Sequence, residues 1–77
     1  EQKMPRVYPN PFGQFVHIEG DGPQEVRFVD VAGRIHQRSW METGGALETK
    51  GLIPGPYILQ VITGNSNEFQ TVSVYKQ

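Results

Sequence analysis

The apolar positions of this chain recur at every second residue, in short runs broken by glycine, proline and asparagine. Val26 and Phe28 alternate with Arg27 and give way to Asp30-Val31-Ala32-Gly33, after which a second extended run spans Arg34 to Trp40. An alternation of period two marks a strand with one buried face. Asp30 suits the first position of a type I turn, because its carboxylate accepts from backbone N–H groups two residues on. Gly33 suits the residue after that turn, where a G1 bulge needs φ > 0. The spacing therefore predicts a β-hairpin over Val26 to Trp40, and so short a hairpin needs further strands to be stable.

The flanking segments supply them. Glu1 to Pro5 is polar and aperiodic, and reads as the tail of a linker ahead of a domain over residues 6–77. Arg6 to Tyr8 is a short extended run. Pro9 and Pro11 cannot donate to a ladder, so Tyr8-Pro9-Asn10-Pro11 predicts an edge strand that runs into a type I turn over Asn10 to Gly13. Gln14 to Glu19 alternates, with Val16 and Ile18 as the core side against Phe15, His17 and Glu19. Gly20 to Pro23 and Glu42 to Gly45 read as loops, and Ala46 to Thr49 as a short strand. The turn cluster Gly51 to Pro56 launches the most apolar strand, Tyr57 to Thr63. There Tyr57, Leu59 and Val61 share one face, and Ile58 and Ile62 suggest cover on the other. Gly64 to Asn67 predicts a second hairpin, closed by an alternating run from Glu68 to Lys76 in which Val72 and Val74 share the apolar side. No stretch sustains a period of 3.6, so no helix is predicted. About seven short, mostly antiparallel strands with turn signals every ~8–12 residues predict an all-β fold, a two-sheet immunoglobulin-like sandwich. No Cys…Trp…Cys pattern accompanies it, so a true immunoglobulin domain is excluded.

Composition narrows the range of functions. Seventy-seven residues make one domain, too small for both a core and a deep cleft; it buries roughly 60% of the surface that its unfolded chain exposes. Seven basic residues stand against eight acidic ones, and their scatter leaves no basic stripe for a phosphate backbone, so nucleic acid is not expected as a partner. There is no cysteine, hence neither disulfide nor thiolate site. No apolar run approaches the ~20 residues of a membrane-spanning helix. Without an initiator methionine or signal pattern, the chain is expected to be a piece of a longer protein.

Candidate chemistry is sparse, and no catalytic, metal or cofactor site is expected. His17 and Glu19 share a strand face but lack a third metal ligand at matching spacing. Asp30, His36 and Ser39 have the residue types of a triad, yet His36 and Ser39 lie three apart on a strand and face opposite ways. The glycine-rich stretches do not join a strand to a helix, so they are not phosphate loops. Phe28 and Tyr57 read as core, with Tyr8, Phe12, Phe15, Trp40, Phe69 and Tyr75 covering sheet ends and edges. The alternative, a sugar-stacking surface, lacks an aromatic run at i, i+2, i+4 on any strand.

Four blocks carry a resemblance. Tyr8-Pro9-Asn10-Pro11-Phe12 resembles the YPNP signature that opens type A C-terminal sorting domains of the type IX secretion system in Bacteroidota. Val29 to Arg34, with Asp30, Gly33 and Arg34, is similar to the family's central hairpin. Leu52 to Val61, with Gly55 and Tyr57, resembles its LxxGxYxxxV strand. Thr71 to Lys76, with Val72, Val74 and Lys76, resembles its closing strand. The blocks come in the family's order and span nearly the whole chain. Gln70 and Thr71 depart from it, since members often carry a lysine just before those valines, and Gln77 follows the terminal Lys76.

The resemblance implies a non-catalytic address tag at the end of an exported cargo such as a protease or adhesin. Its expected partners are the type IX translocon or shuttle receptor and a sortase that removes the tag and links the cargo to anionic lipopolysaccharide. The expected route runs through the periplasm to the outer-membrane surface. The last strand is expected at a sheet edge, with Val72 and Val74 anchored and its backbone free to accept a receptor strand. An unpaired edge also offers a route to a dimer. Two alternatives stay open: a retained member of the attachment machinery that binds lipopolysaccharide or a partner subunit, and a sugar-binding or adhesive sandwich module.

Overall fold

The computed structural model describes residues 6–20, 22–63 and 69–77. The expected linker tail, the residue at 21 and the second hairpin turn lie outside the described residues. Seven strands are present: β1 Val7–Tyr8, β2 Phe15–Ile18, β3 Gln24–Val29, β4 Ile35–Met41, β5 Gly45–Glu48, β6 Gly55–Thr63 and β7 Phe69–Lys76. They form two antiparallel sheets, one in the order β1-β2-β5 and one in the order β4-β3-β6-β7. Among the described residues there is no helix. The expected two-sheet all-β architecture is thus the one observed, and the short strand after Gly44 finds its partner in β2, with Leu47 opposite Val16.

The period-two pattern dictates the packing. Val16 and Ile18 of β2, Val26 and Phe28 of β3, and Tyr57, Leu59 and Val61 of β6 all point between the sheets and are buried with Val74. Register makes the inner face of the four-stranded sheet continuous, since Val26 lies opposite Val61, Phe28 opposite Leu59 and Tyr57 opposite Val74. Ile58, Gln60 and Ile62, on the other side of β6, are half-buried by their strand neighbours alone.

Phe12 corrects the expectation for the aromatics. It is fully buried, with a relative exposure of 0%, and its ring meets Phe28 at 5.8 Å between centroids. Phe28 in turn meets Tyr57 edge-on at 6.3 Å. The segment from Asn10 to Gly13 also does not close the expected type I turn. The Phe12 N–H donates to the Tyr75 carbonyl at 2.9 Å, which draws the segment onto β7. With Pro9 before it and Pro11 inside it, this short stretch has few local bonds to make, so the distant strand decides its path.

Candidate functional site

Register brings the four sequence blocks to one end of the sandwich. The close of β3, the start of β4, the start of β6 and the close of β7 share that end, because Val29 lies opposite both Ile35 and Ile58, and Gly55 opposite Lys76. The loop between β1 and β2 completes it.

The central hairpin forms as its residues require. The Asp30 carbonyl accepts from the Gly33 N–H at 2.9 Å. Asp30 Oδ1 accepts from the N–H groups of Ala32 and Arg34, both at 2.9 Å. Gly33 takes φ +88°, a conformation costly for any residue with a Cβ. The register then slips by one residue between Phe28 and Val29. The slip is a bulge, which turns the extra residue, His36, toward the inner side. Its Nε2–H donates to Asp30 Oδ2 at 2.6 Å, and its ring stands edge-on to Tyr57 at 5.6 Å. The His36 bond, first, and then the Arg34 and Ala32 N–H groups hold the Asp30 carboxyl down to about 2. Arg34 is the weaker partner: its Nε stands 3.5 Å from Asp30 Oδ2 and its side chain is 79% exposed. The pairing of Asp30 with His36 was not legible, because a period of two places residues 30 and 36 correctly only if the bulge is known. Ser39 takes no part in it; its Oγ accepts from Gln37 Nε2 at 3.2 Å.

The N-terminal block clasps the last strand. Asn10 Nδ2 donates to the Ser73 carbonyl at 3.1 Å, and Asn10 Oδ1 accepts from the Tyr75 N–H at 3.0 Å. One amide side chain thereby stands in for a strand neighbour, with donor and acceptor at the spacing of an edge. Phe12 continues the ladder: its N–H reaches the Tyr75 carbonyl, and its own carbonyl accepts from the Gln77 N–H at 2.8 Å. Lys76 is buried, its ammonium donating to the Gly13 carbonyl at 2.6 Å and lying 5.8 Å from the centre of the Phe12 ring. Thr49 Oγ1 donates to the same carbonyl at 3.0 Å.

These contacts overturn one expectation. β7 does lie at a sheet edge, with Val74 buried and Val72 half-buried. Its backbone from Ser73 to Gln77, however, is taken up by Asn10 and Phe12 and is not free for an added strand.

The remaining predicted residues fall into place around this end. Gly55 takes φ +148° where β6 begins, and the Tyr57 hydroxyl donates to the Ile53 carbonyl at 2.6 Å, tying the turn cluster to the strand. Pro9 and Pro11 are exposed beside Asn10. Tyr8 stands apart: it stacks on His17 at 4.9 Å on the outer face of the three-stranded sheet. Lys76, Phe12, Phe28, Tyr57, His36 and Asp30 form one chain of contacts that runs from the core out to the exposed hairpin and links the motif blocks. Phe28 and His36 are the members that lie outside the motif blocks.

Comparison with known families identifies the chain. It belongs to the family described as Secretion system C-terminal sorting domain, whose model matches residues 6–75. Neither the curated proteins nor the solved structures yield a match to this chain. Members of this family are sorting signals of the type IX secretion system and are not catalytic domains; the chain's business is with that machinery, in export to the cell surface or beyond.

Proposed function

We propose that this domain, residues 6–77, carries a cargo from the periplasm across the outer membrane by engaging a receptor of the type IX machinery. The tag is then removed in the segment ahead of β1, and the cargo is fixed at the surface through anionic lipopolysaccharide. The family match over residues 6–75 carries this reading. The clasp between Asn10, Phe12 and β7 supports it, because a tag must present a fixed surface while joined to a cargo. Here the first and last blocks hold each other, so the link to the cargo pulls on a closed unit.

Fusing residues 1–77 to a periplasmic reporter tests the reading in a type IX-competent host and in one lacking the translocon. The reporter is expected at the cell surface in the first host alone, without the tag attached. Retention in the periplasm of both hosts overturns the proposal. Surface delivery with the tag still joined rejects the removal step and leaves the sorting step standing.

A further inference from the structure

The two sheets differ in what they leave outside. On the three-stranded sheet the outward groups satisfy one another. Tyr8 meets both the His17 ring and the Arg6 guanidinium, the latter 5.7 Å from its centroid, and Lys50 pairs with Glu48 at 3.3 Å. Among the described residues, Phe15 is an outward ring there without such a neighbour.

The four-stranded sheet is different. Its outward residues fall into cross-strand rows: Trp40, Glu25, Ile62 and Phe69; then Arg38, Arg27, Gln60 and Thr71; then Ile35, Val29, Ile58 and Ser73. Pro56 and Tyr75 follow at the motif end. Four large side chains of this face stand open: Trp40 at 58%, Phe69 and Tyr75 at 50%, and Ile35 at 46%. Between the two apolar margins Arg27 and Arg38 lie directly opposite each other, a like-charged pair that disfavours its own sheet. A single carboxylate serves both, Glu25 Oε2 meeting Arg27 Nε at 2.9 Å and Arg38 Nε at 3.0 Å. No other carboxylate among the described residues meets either arginine. Glu42, at the rim, is engaged by the Trp40 indole N–H at 2.9 Å. The bonded Arg27 and the charges of both arginines hold the Glu25 carboxyl below its usual range, against partial desolvation.

An aromatic and arginine-rich surface with no lysine has the composition of an interface centre. Two forked cations that share one carboxylate are complementary to a second one. We infer that this face is the docking surface for the receptor that reads the tag, and that the receptor presents an acidic side chain to Arg27 and Arg38. Apolar groups on either side of it meet the Trp40–Phe69 and Ile35–Tyr75 margins. The inference rests on the sorting function proposed above and names the surface through which it operates. Four strands spaced ~4.8 Å, each presenting six residues at a rise of ~3.3 Å, give a footprint of roughly 400 Å² in projection, below the ~800 Å² per partner of a stable complex. The contact is therefore a transient one, as suits a tag that is handed on.

The test uses the reporter fusion of residues 1–77. The double variant Arg27→Glu/Arg38→Glu should lower surface delivery about tenfold or more, since like charges facing each other suppress docking. The pair Phe15→Ser/Glu48→Gln on the opposite face should deliver like the parent, and circular-dichroism melting checks that each variant is folded. A photo-crosslinking residue at Thr71 in the otherwise unaltered fusion makes the test independent of the charge variants. It should yield an adduct with a type IX component, while the same residue at Ala46 on the other face should not. Normal delivery of the folded double charge variant, or absence of the Thr71 adduct, overturns the inference and leaves the sorting function intact. Failure of the unaltered fusion to reach the surface overturns both.

Discussion

The turn at Asp30 and the clasp at Asn10 use the same chemistry at opposite ranges. Each employs a short polar side chain whose oxygen accepts from backbone N–H groups, and each secures a strand end at the same pole of the sandwich. The Asp30 carboxylate binds residues two and four positions on. The Asn10 amide binds residues 63 and 65 positions away. The local device forms as soon as its own few residues adopt the turn. The distant one exists only after both sheets have assembled, because β7 must already lie beside β6. Stability at this pole is thus nucleated locally and completed globally.

Cutting the distant partner should have the largest effect. Removal of Ser73 to Gln77 takes away the buried Val74, the Lys76 ammonium and every bond to Asn10 and Phe12. Its loss should exceed about 5 kcal/mol, the lower end of small-domain stability, and abolish the cooperative melt seen by circular dichroism. A cooperative transition in the truncated chain refutes the completing role of the clasp. Phe12→Ala comes next, at about 3–5 kcal/mol for an emptied core site. Phe15→Ala, at a half-exposed ring, should move the urea midpoint far less.

Gly33→Ala probes the local device. A Cβ there meets no atom within 4 Å, so the cost comes from φ +88° alone, about 1–2 kcal/mol for a left-handed residue. Asn10→Ala should cost about 1 kcal/mol, because the strand groups that it frees are exposed and recover water. It should also speed hydrogen exchange at the Tyr75 amide while the Ala32 amide stays unchanged; equal acceleration at both sites would erase the distinction. The smallest effect concerns acid. Asp30 is held at about 2 against an ordinary 3.8, so its contribution is complete above that ordinary value and is lost as pH falls toward 2. Asp30→Asn should flatten the melting temperature's decline across that window, with little change in its slope above pH 5.

Legibility followed the range of the interactions. The hairpin, Gly33 and the inward sides of β2, β3 and β6 could be read because turn chemistry and strand alternation are written in adjacent residues. His36 escaped the reading because one inserted residue reverses the facing of everything before it. Phe12 escaped because its burial depends on β7, more than sixty residues away, and nothing in Asn-Pro-Phe-Gly distinguishes a surface turn from a core plug. The motifs marked Asn10 and Lys76 as residues of the family, but their tasks, edge seal and buried anchor, were not visible.

The order of residues by itself determined where strands start and stop, which of their faces is apolar and which turn needs a glycine, since each depends on backbone torsions and side chains within a few positions. The tertiary structure alone decided that the first block seals the last strand, that His36 meets Asp30, and that Arg27 and Arg38 face each other on an open sheet. Those pairings are settled by register and by which edges remain after the sheets close, quantities that exist only once distant segments lie side by side.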